Sequence, residues 1–195
     1  MTSSIIGIII AYLVGSIPTG LILSRTVAGV DIRQKGSGNI GATNAYRTVG
    51  KGVGILTLTG DALKGFLPVI IAMKSGMSEG WVAGIAISAF LGHVFSLFLR
   101  FRGGKGVATG LGIFIALTPL PVLIVLGIFI AVVAVTRYVS LGSITAAALL
   151  PLLSHLLAYP PERVGITLLI ALIVIVKHHE NISRLIRGTE NRFTP

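Results

Sequence analysis

The feature that most constrains this chain is a succession of apolar runs, each close to the length needed to cross a membrane. A helix needs about 20 residues to span the ~30 Å hydrocarbon layer of a bilayer. Because 53% of the 195 residues are hydrophobic and only 11% are charged, these runs are not surface helices of a water-soluble domain. The sequence predicts an all-α, polytopic integral membrane protein with the lipid bilayer as its solvent. Five runs are readily recognised, the last of them short but extendable: Ser4 to Ser24, Val53 to Met73, Gly80 to Leu99, Val139 to Ala158 and Val164 to Val176.

A further apolar run, from Val107 to Thr136, is too long for one upright crossing and contains Pro119 and Pro121. Two prolines remove two backbone donors and interrupt a helix. We therefore divide this run into Val107 to Leu117 and Leu120 to Thr136, which gives seven transmembrane helices. An unbroken run would give six and would place the C-terminal cations outside.

Charge asymmetry predicts the orientation of these spans. The chain carries 16 Lys and Arg against 6 Asp and Glu, a formal net charge of +10. With the N-terminus outside and the C-terminus in the cytoplasm, 13 of the 16 cations lie in inner loops, as the positive-inside rule requires. No basic segment precedes the first run, so we interpret it as a span and not as a cleaved signal peptide. No linker or repeat divides residues 1–195, which we expect to form one domain.

The remaining composition narrows the possible functions. Nucleic-acid binding is disfavoured, because the basic residues are spread over short loops without interleaved aromatics. The absence of cysteine excludes disulfides and thiolate chemistry. The six carboxylates are scattered, so no metal site is expected. The excess of cations has two competing interpretations, the positive-inside rule, which must hold in part, and the binding of an anionic substrate.

The loop after the first span is rich in glycine and in hydrogen-bond donors. Glycines allow backbone N–H groups to converge on an anion, and an arginine fork can bind phosphate in bidentate fashion. The segment 36–41 also matches G-x-G-x-x-G, but that dinucleotide fingerprint requires a preceding strand, and none is expected here. A flexible linker is the competing interpretation. The candidate phosphate-binding residues are Gly36, Ser37, Gly38, Asn39, Gly41, Thr43, Asn44 and Arg47.

A second polar cluster follows the third span. Its glycines can bend the backbone around an anion, while Lys105 supplies a point charge at the start of the next helix. A Walker loop is excluded, because Leu99 and Gly106 occupy the positions of its first glycine and its Ser or Thr. An ordinary basic turn is the alternative, and a histidine on an apolar helix is more often a core residue. The candidates are His93, Gly103, Gly104, Lys105, Gly106 and Thr109.

The third cluster is the C-terminal tail from Lys177 onward. At 3.6 residues per turn, His178, Asn181 and either Arg184 or Leu185 share one helix face. An unremarkable juxtamembrane helix would carry cations, but it would not need a His-His-Glu-Asn sequence. The candidates are His178, His179, Asn181, Arg184 and Glu190.

Inside the second span, Asp61 and Lys64 are spaced to form a pair. Each charge alone would cost about 2.5–3.5 kcal/mol or more at the centre of a membrane helix. A structural pair and a role toward the substrate both remain open.

These three clusters resemble the motifs of the acyl-phosphate:glycerol-3-phosphate acyltransferase (PlsY) family. The matching stretches read D-I-R-Q-K-G-S-G-N-I-G-A-T-N-A-Y-R, then G-H with F-R-G-G-K-G-V-A-T, then H-H-E-N-I-S-R-L-I-R-G-T-E, and they occur in this order between spans. The His-x-x-x-x-Asp motif of acyltransferases that use acyl carrier protein or acyl-CoA is absent.

The resemblance implies transfer of a fatty acyl group from acyl phosphate to the 1-hydroxyl of glycerol 3-phosphate. The products would be lysophosphatidic acid and phosphate, in the first acylation of phospholipid synthesis. It implies the bacterial cytoplasmic membrane, an active site facing the cytoplasm, no cofactor and no obligatory protein partner. The expected catalytic residues are His178, Asn181, Lys105 and Ser37.

Because phosphate is a good leaving group, this chemistry needs little general-acid help. We expect His178 to be the base or to orient it, with support from Asn181. A phosphate oxygen of the substrate is the alternative base. Lys105 and backbone N–H groups would stabilise the developing charge. A transporter of organic phosphates and a lipid-binding scaffold are competing classes, but neither requires these motifs, and no internal repeat is visible.

Overall fold

The computed structural model describes residues 2–193, and this part of the chain folds into ten α-helices and two short 3₁₀ turns. The all-α prediction is confirmed. The backbone divides into two compact units, one up to Ala116 and the other from Leu117 onward, and each is described separately. The prediction of a single domain over residues 1–195 stays a prediction. The helices are α1 Thr2–Ser16, α2 Thr19–Ala28, α3 Ala42–Thr48, α4 Lys51–Lys74, α5 Glu79–Val94, α6 Val107–Leu117, α7 Pro119–Thr136, α8 Val139–Leu156, α9 Pro161–Lys177 and α10 His179–Ile186.

Five segments of the described chain are long and apolar enough to cross a membrane. Two further predicted spans are helical but shorter, α6 with 11 residues and α9 with 17. Large apolar side chains such as Val135 and Ile71 are exposed on the helices, as expected of surfaces that face lipid. The chain is thus built as a multi-pass membrane protein. The five segments are Ser4–Ala28, Lys51–Lys74, Glu79–Leu99, Pro119–Thr136 and Val139–Leu156.

Proline determines two interruptions, of which the sequence analysis anticipated one. The predicted break in the long run is confirmed, since α6 ends at Leu117 and α7 begins at Pro119. The first span, predicted as continuous from Ser4 to Ser24, is instead two helices separated at Ile17 and Pro18. A proline has no N–H to donate to the preceding turn and disfavours helical backbone at the residue before it.

The first unit packs α1 against α5, with α4 contacting both helices as well as α2 and α3. Small residues bring α1 and α5 together, since a Cβ at Gly92 would overlap the carbonyl of Tyr12. The Ser88 hydroxyl donates to the Ile8 carbonyl at 2.8 Å across the same interface. A separate apolar cluster, formed by Leu21, Ile32, Ile40, Ala45 and Val53, lies beneath the first Gly-rich loop. This cluster gives the loop a fixed base.

The second unit packs α8 against both α7 and α9, and α10 contacts α8 and α9. The turn between α7 and α8 is tight, with Arg137 in the left-handed region at a φ of 63°. The C-terminal tail returns to this turn, because the Phe193 amide donates to the Arg137 carbonyl. The guanidinium of Arg192 also lies 5.8 Å from the centre of the Tyr138 ring.

Candidate functional site

The side chain of Asn44 organises the first Gly-rich loop. Its Oδ1 accepts a hydrogen bond from the Ser37 amide at 2.9 Å. Its Nδ2 donates to the carbonyls of Ile32 at 2.8 Å, Asn39 at 2.8 Å and Lys35 at 3.1 Å. Asn44 is only 2% exposed and both ends of its amide are occupied by the loop. Its contribution is therefore to shape the loop, and direct substrate contact by Asn44 stays a prediction.

Two glycines make this loop possible. Gly36 and Gly38 have φ values of 59° and 70°, a region that other residues adopt only with strain. A Cβ at Gly36 would also overlap Oδ1 of Asn44. Both glycines were predicted to contact phosphate. The structure shows that they are needed for the backbone path itself.

The convergence of several backbone amides of this loop on phosphate stays a prediction, and three of these amides are used within the loop. The amides of Ser37, Gly38 and Gly41 donate within the loop, to Asn44 Oδ1, the Lys35 carbonyl and Asn39 Oδ1. The free donors are side chains instead: within residues 2–193, the hydroxyls of Ser37 and Thr43 and the Nδ2 of Asn39 make no hydrogen bond. Their uncommitted donors, with the exposed Arg47 of α3, are suited to an anion.

The segment that leads into this loop is held by the carboxylate of Asp31, which was not among the predicted site residues. Asp31 accepts hydrogen bonds from Arg33 Nε at 2.9 Å and from an Nη2 of both Arg25 and Arg33 at 2.6 Å. The Arg33 guanidinium, opposed by partial burial and aided by the Arg33 amide and Arg25, holds the pKa of Asp31 well below its usual range. The motif D-x-R was visible, but nothing in the spacing showed that Arg25 of α2 would join it.

The second Gly-rich segment folds back over the end of α5. The amides of Gly103 and Gly104 donate to the carbonyls of Val94 and His93, both at 3.1 Å. A Cβ at Gly104 would overlap Nε2 of His93, so the glycine backbone lies directly on the imidazole. Both amides are occupied, and direct phosphate contact by these two glycines stays a prediction.

His93 is buried, with 3% of its surface exposed. Its Nδ1 lies 3.8 Å from Oδ1 of Asp61. Asp61 Oδ1 is 2.8 Å from Lys64 Nζ, which confirms the predicted pair. Lys64 Nζ also donates to the Ile17 carbonyl at 2.8 Å, at the break before Pro18. Lys64 therefore has a structural task, because it gives the Ile17 carbonyl at this break a second donor beside the Thr19 amide.

Lys105 and Gly106 lie just before α6. The first hydrogen bond of this helix runs from the Gly110 amide to the Gly106 carbonyl, so the three helix amides before Gly110 make no bond within the helix. Gly106 has a φ of 84° and lies against the ring of Phe90. Thr109 is fully buried, and its hydroxyl has no hydrogen-bond partner among the described residues. An uncommitted buried hydroxyl, free helix N-terminal amides and a lysine form a combination suited to a bound anion.

In the second unit, two of the predicted tail residues, Asn181 and Arg184, bind a third, Glu190. The Glu190 carboxylate accepts from Asn181 Nδ2 at 2.6 Å, Ser140 Oγ at 2.8 Å and Arg184 Nε at 2.7 Å. Burial raises the pKa of Glu190, but the hydrogen bonds from Arg184, Asn181 and Ser140 outweigh it and lower the pKa below its usual value. Glu190 thus ties the tail to α8 and α10. Ser140 was missed, because a serine at the start of an apolar helix carries no distinctive signal.

His178 lies between α9 and α10 and is 3% exposed. Its Nδ1 is 2.7 Å from the carbonyl of Val174. Because a carbonyl only accepts, Nδ1 carries the proton, and the neutral ring has its lone pair on Nε2. This is the tautomer that a general base requires. His179, by contrast, is exposed, with Nδ1 at 3.1 Å from the Val176 carbonyl.

The spans, the uncommitted donors of the first loop and the lysine before α6 define a class: a polytopic membrane protein that handles a small anion. A family model described as glycerol-3-phosphate acyltransferase matches residues 5–188. The glycerol-3-phosphate acyltransferase of Geobacter sulfurreducens is 60% identical over 99% of both chains, and that of Fusobacterium nucleatum is 46% identical over 95% of this chain and 96% of its own.

Solved structures agree with these sequence matches. The crystal structure of PlsY (YgiH), an integral membrane glycerol 3-phosphate acyltransferase, in its glycerol 3-phosphate form has a TM-score of 0.94 and 40% identity, covering 98% of this chain and 96% of that one. Its lysophosphatidic acid form has a TM-score of 0.92. The chain belongs to the glycerol-3-phosphate acyltransferase (PlsY) family of membrane enzymes, and the resemblance found in the sequence is confirmed.

Proposed function

We propose that this enzyme uses acyl phosphate as its donor and transfers the fatty acyl group to the 1-hydroxyl of glycerol 3-phosphate. The products are then 1-acyl-glycerol 3-phosphate, a lysophosphatidic acid, and phosphate. The observation that carries this proposal is the first loop, in which Asn44 fixes the backbone while Ser37, Asn39 and Thr43 keep their side-chain donors available. A preorganised set of neutral donors next to Arg47 fits an organic phosphate.

The segment before α6 supplies the second part of the proposal. Lys105, the N-terminal amides of α6 and the Thr109 hydroxyl offer positive potential and donors to a phosphoryl group or to the oxyanion of the acyl transfer. Stabilisation of that charge is the main demand of the reaction, because phosphate departs as a weak base. We assign Lys105 to the developing charge and Arg47 to the ground-state phosphate.

His178 is assigned as the group that removes the proton from the attacking hydroxyl. Its Nδ1 proton is held by Val174, which leaves Nε2 as the acceptor in the neutral ring. Asn181 and Glu190 hold the segment that carries His178, through the bond between their side chains at 2.6 Å. No metal or cofactor enters this scheme.

Donor specificity tests the proposal. Purified protein in detergent receives glycerol 3-phosphate with either palmitoyl phosphate or palmitoyl-CoA, each with and without EDTA, and 1-acyl-glycerol 3-phosphate is quantified. We expect product from palmitoyl phosphate in both conditions and none from palmitoyl-CoA. Turnover of palmitoyl-CoA without turnover of palmitoyl phosphate would overturn the assignment of the donor.

For topology, we propose seven transmembrane helices in a bacterial cytoplasmic membrane, with the N-terminus outside and the active-site loops inside. The distribution of cations supports this orientation. Single cysteines replace Gly50, Gly76 and Arg187 in turn and are labelled in intact cells by a membrane-impermeant maleimide. We expect label only at position 76, and label at position 50 or 187 in intact cells would contradict the orientation.

A further inference from the structure

We propose that Asp61 and His93 are positioning residues that hold the segment 103–106, and through it Lys105, in its working geometry. The inference rests on the proposed role of Lys105 and extends it to a buried network in the first unit. In this network, contacts lead from the break in the first span to the glycine that precedes Lys105.

The first part of the network fixes Lys64. Its Nζ donates to the Ile17 carbonyl at 2.8 Å, so its position is set by the Pro18 break. Lys64 Nζ and Asp61 Oδ1 are 2.8 Å apart, so the two side chains form an ion pair. Asp61 and Lys64 are 2% and 5% exposed, where such a contact is screened little by water.

The second part connects Asp61 to α5. Oδ1 of Asp61 lies 2.8 Å from Nζ of Lys64 and 3.8 Å from Nδ1 of His93. A buried carboxylate attracts the N–H edge of an imidazole, so Asp61 selects the orientation of the His93 ring. The same orientation sets the position of Nε2 on the opposite edge.

The third part connects His93 to the loop. Nε2 lies where a Cβ of residue 104 would be, so the Gly104 backbone rests against that edge of the ring. The His93 carbonyl accepts from the Gly104 amide at 3.1 Å. His93 thus contacts Gly104 through both its ring and its backbone. A ring that turns would push or release the residue adjacent to Lys105.

This network differs from a merely structural ion pair in one measurable respect. Loss of a purely structural pair would change the stability of the protein, whereas loss of a positioning pair lowers the contribution of Lys105 to kcat. Since misplacement of a catalytic group by about 1 Å can cost about 10²-fold, we expect Asp61→Asn to lower kcat about tenfold or more. The KM for glycerol 3-phosphate should change less than about twofold, because the first loop is untouched.

The test is a double-mutant cycle with palmitoyl phosphate and glycerol 3-phosphate as substrates. In the Lys105→Ala background, Asp61→Asn should lower kcat by less than about threefold, because the group it positions is gone. The control is Ser88→Ala, which removes a hydrogen bond from the same helix as His93, to Ile8, and should leave kcat and KM unchanged. Hydrogen–deuterium exchange at residues 103–106 should accelerate in Asp61→Asn and not in Ser88→Ala.

The inference is overturned if folded Asp61→Asn keeps the wild-type kcat, or if its loss multiplies fully with that of Lys105→Ala. If Asp61→Asn does not accumulate in the membrane, His93→Gln carries the same test, since it leaves the Asp61–Lys64 pair intact. A Lys105→Ala variant with wild-type kcat would instead refute the proposed role of Lys105 itself. Loss of kcat in Lys105→Ala but not in Asp61→Asn or His93→Gln would refute only the positioning role.

Discussion

Replacing Asn44 by alanine removes the side-chain hydrogen bonds by which this residue organises the first loop. Four bonds are lost, from the Ser37 amide and to the carbonyls of Ile32, Lys35 and Asn39. A typical intramolecular hydrogen bond contributes about 0.5–1.5 kcal/mol net. Lys35 is exposed and Asn39 half-buried, so water can replace part of the loss, and we take about 2 kcal/mol for the ordered loop.

When the ordered loop is destabilised by about 2 kcal/mol, a smaller fraction of the protein molecules has the loop conformation that binds substrate. The apparent affinity for glycerol 3-phosphate then falls by up to roughly 30-fold, because each 1.4 kcal/mol corresponds to a factor of ten. The assay is steady-state kinetics of purified protein, with KM for glycerol 3-phosphate as the readout. Asn44→Asp should raise this KM at least as much, because a buried carboxylate oxygen would face the carbonyls to which Nδ2 now donates.

The matched control is Thr48→Val on the same helix. The Thr48 hydroxyl donates to the Asn44 carbonyl at 2.7 Å, a bond within α3 that leaves the loop untouched. We expect wild-type KM for Thr48→Val. If a folded, membrane-inserted Asn44→Ala variant has the kinetic constants of the wild type, the loop does not bind substrate and our account of it is wrong.

Further predictions concern other parts of the site. Arg47→Ala should chiefly raise the KM for glycerol 3-phosphate, measured by varying that substrate, because its charge-assisted contact is made in ground and transition states alike. Lys105→Ala should lower kcat about 10²-fold, and Lys105→Arg should not restore it, because a planar fork does not replace a point charge. Gly38→Ala should raise the same KM, since its φ of 70° strains any other residue. Hydrogen bonds to the Glu190 carboxylate lower its pKa in the folded protein. The stability that they provide should be complete above the usual pKa of a glutamate and lost as the pH falls through the lowered pKa of the folded state. Melting curves of Glu190→Gln should lack that loss.

Much of the fold was predictable because the bilayer imposes a length and a composition on each span. The all-α class and the helix break between Leu117 and Pro119 followed directly from these constraints. The break at Pro18 was not predicted, because one proline inside an apolar run often leaves a membrane helix continuous. One contact that stabilises this break comes from Lys64, a residue 47 positions away that donates to the Ile17 carbonyl. Sequence spacing shows neighbours on one helix, but not a partner on another.

For the candidate site too, some features were predictable from the sequence and others were not. Motif composition correctly identified the polar segments, since glycines, amides and cations are unusual in a membrane protein without a reason. Individual roles were less predictable, because a residue's role depends on which of its hydrogen bonds are already used. Asn44 and Glu190, both expected to bind substrate, use polar atoms of their side chains for hydrogen bonds within the protein, and substrate contact by either stays a prediction. His93 was expected at the substrate and lies buried beside Asp61.

The most direct test of the central claim is the release of inorganic phosphate from palmitoyl phosphate by purified protein, measured with and without glycerol 3-phosphate. The account predicts release that depends on glycerol 3-phosphate, with one 1-acyl-glycerol 3-phosphate formed per phosphate. It also predicts that Lys105→Ala lowers the rate of both products equally. Phosphate release at the same rate with and without glycerol 3-phosphate, or acyl transfer without phosphate release, would contradict the account.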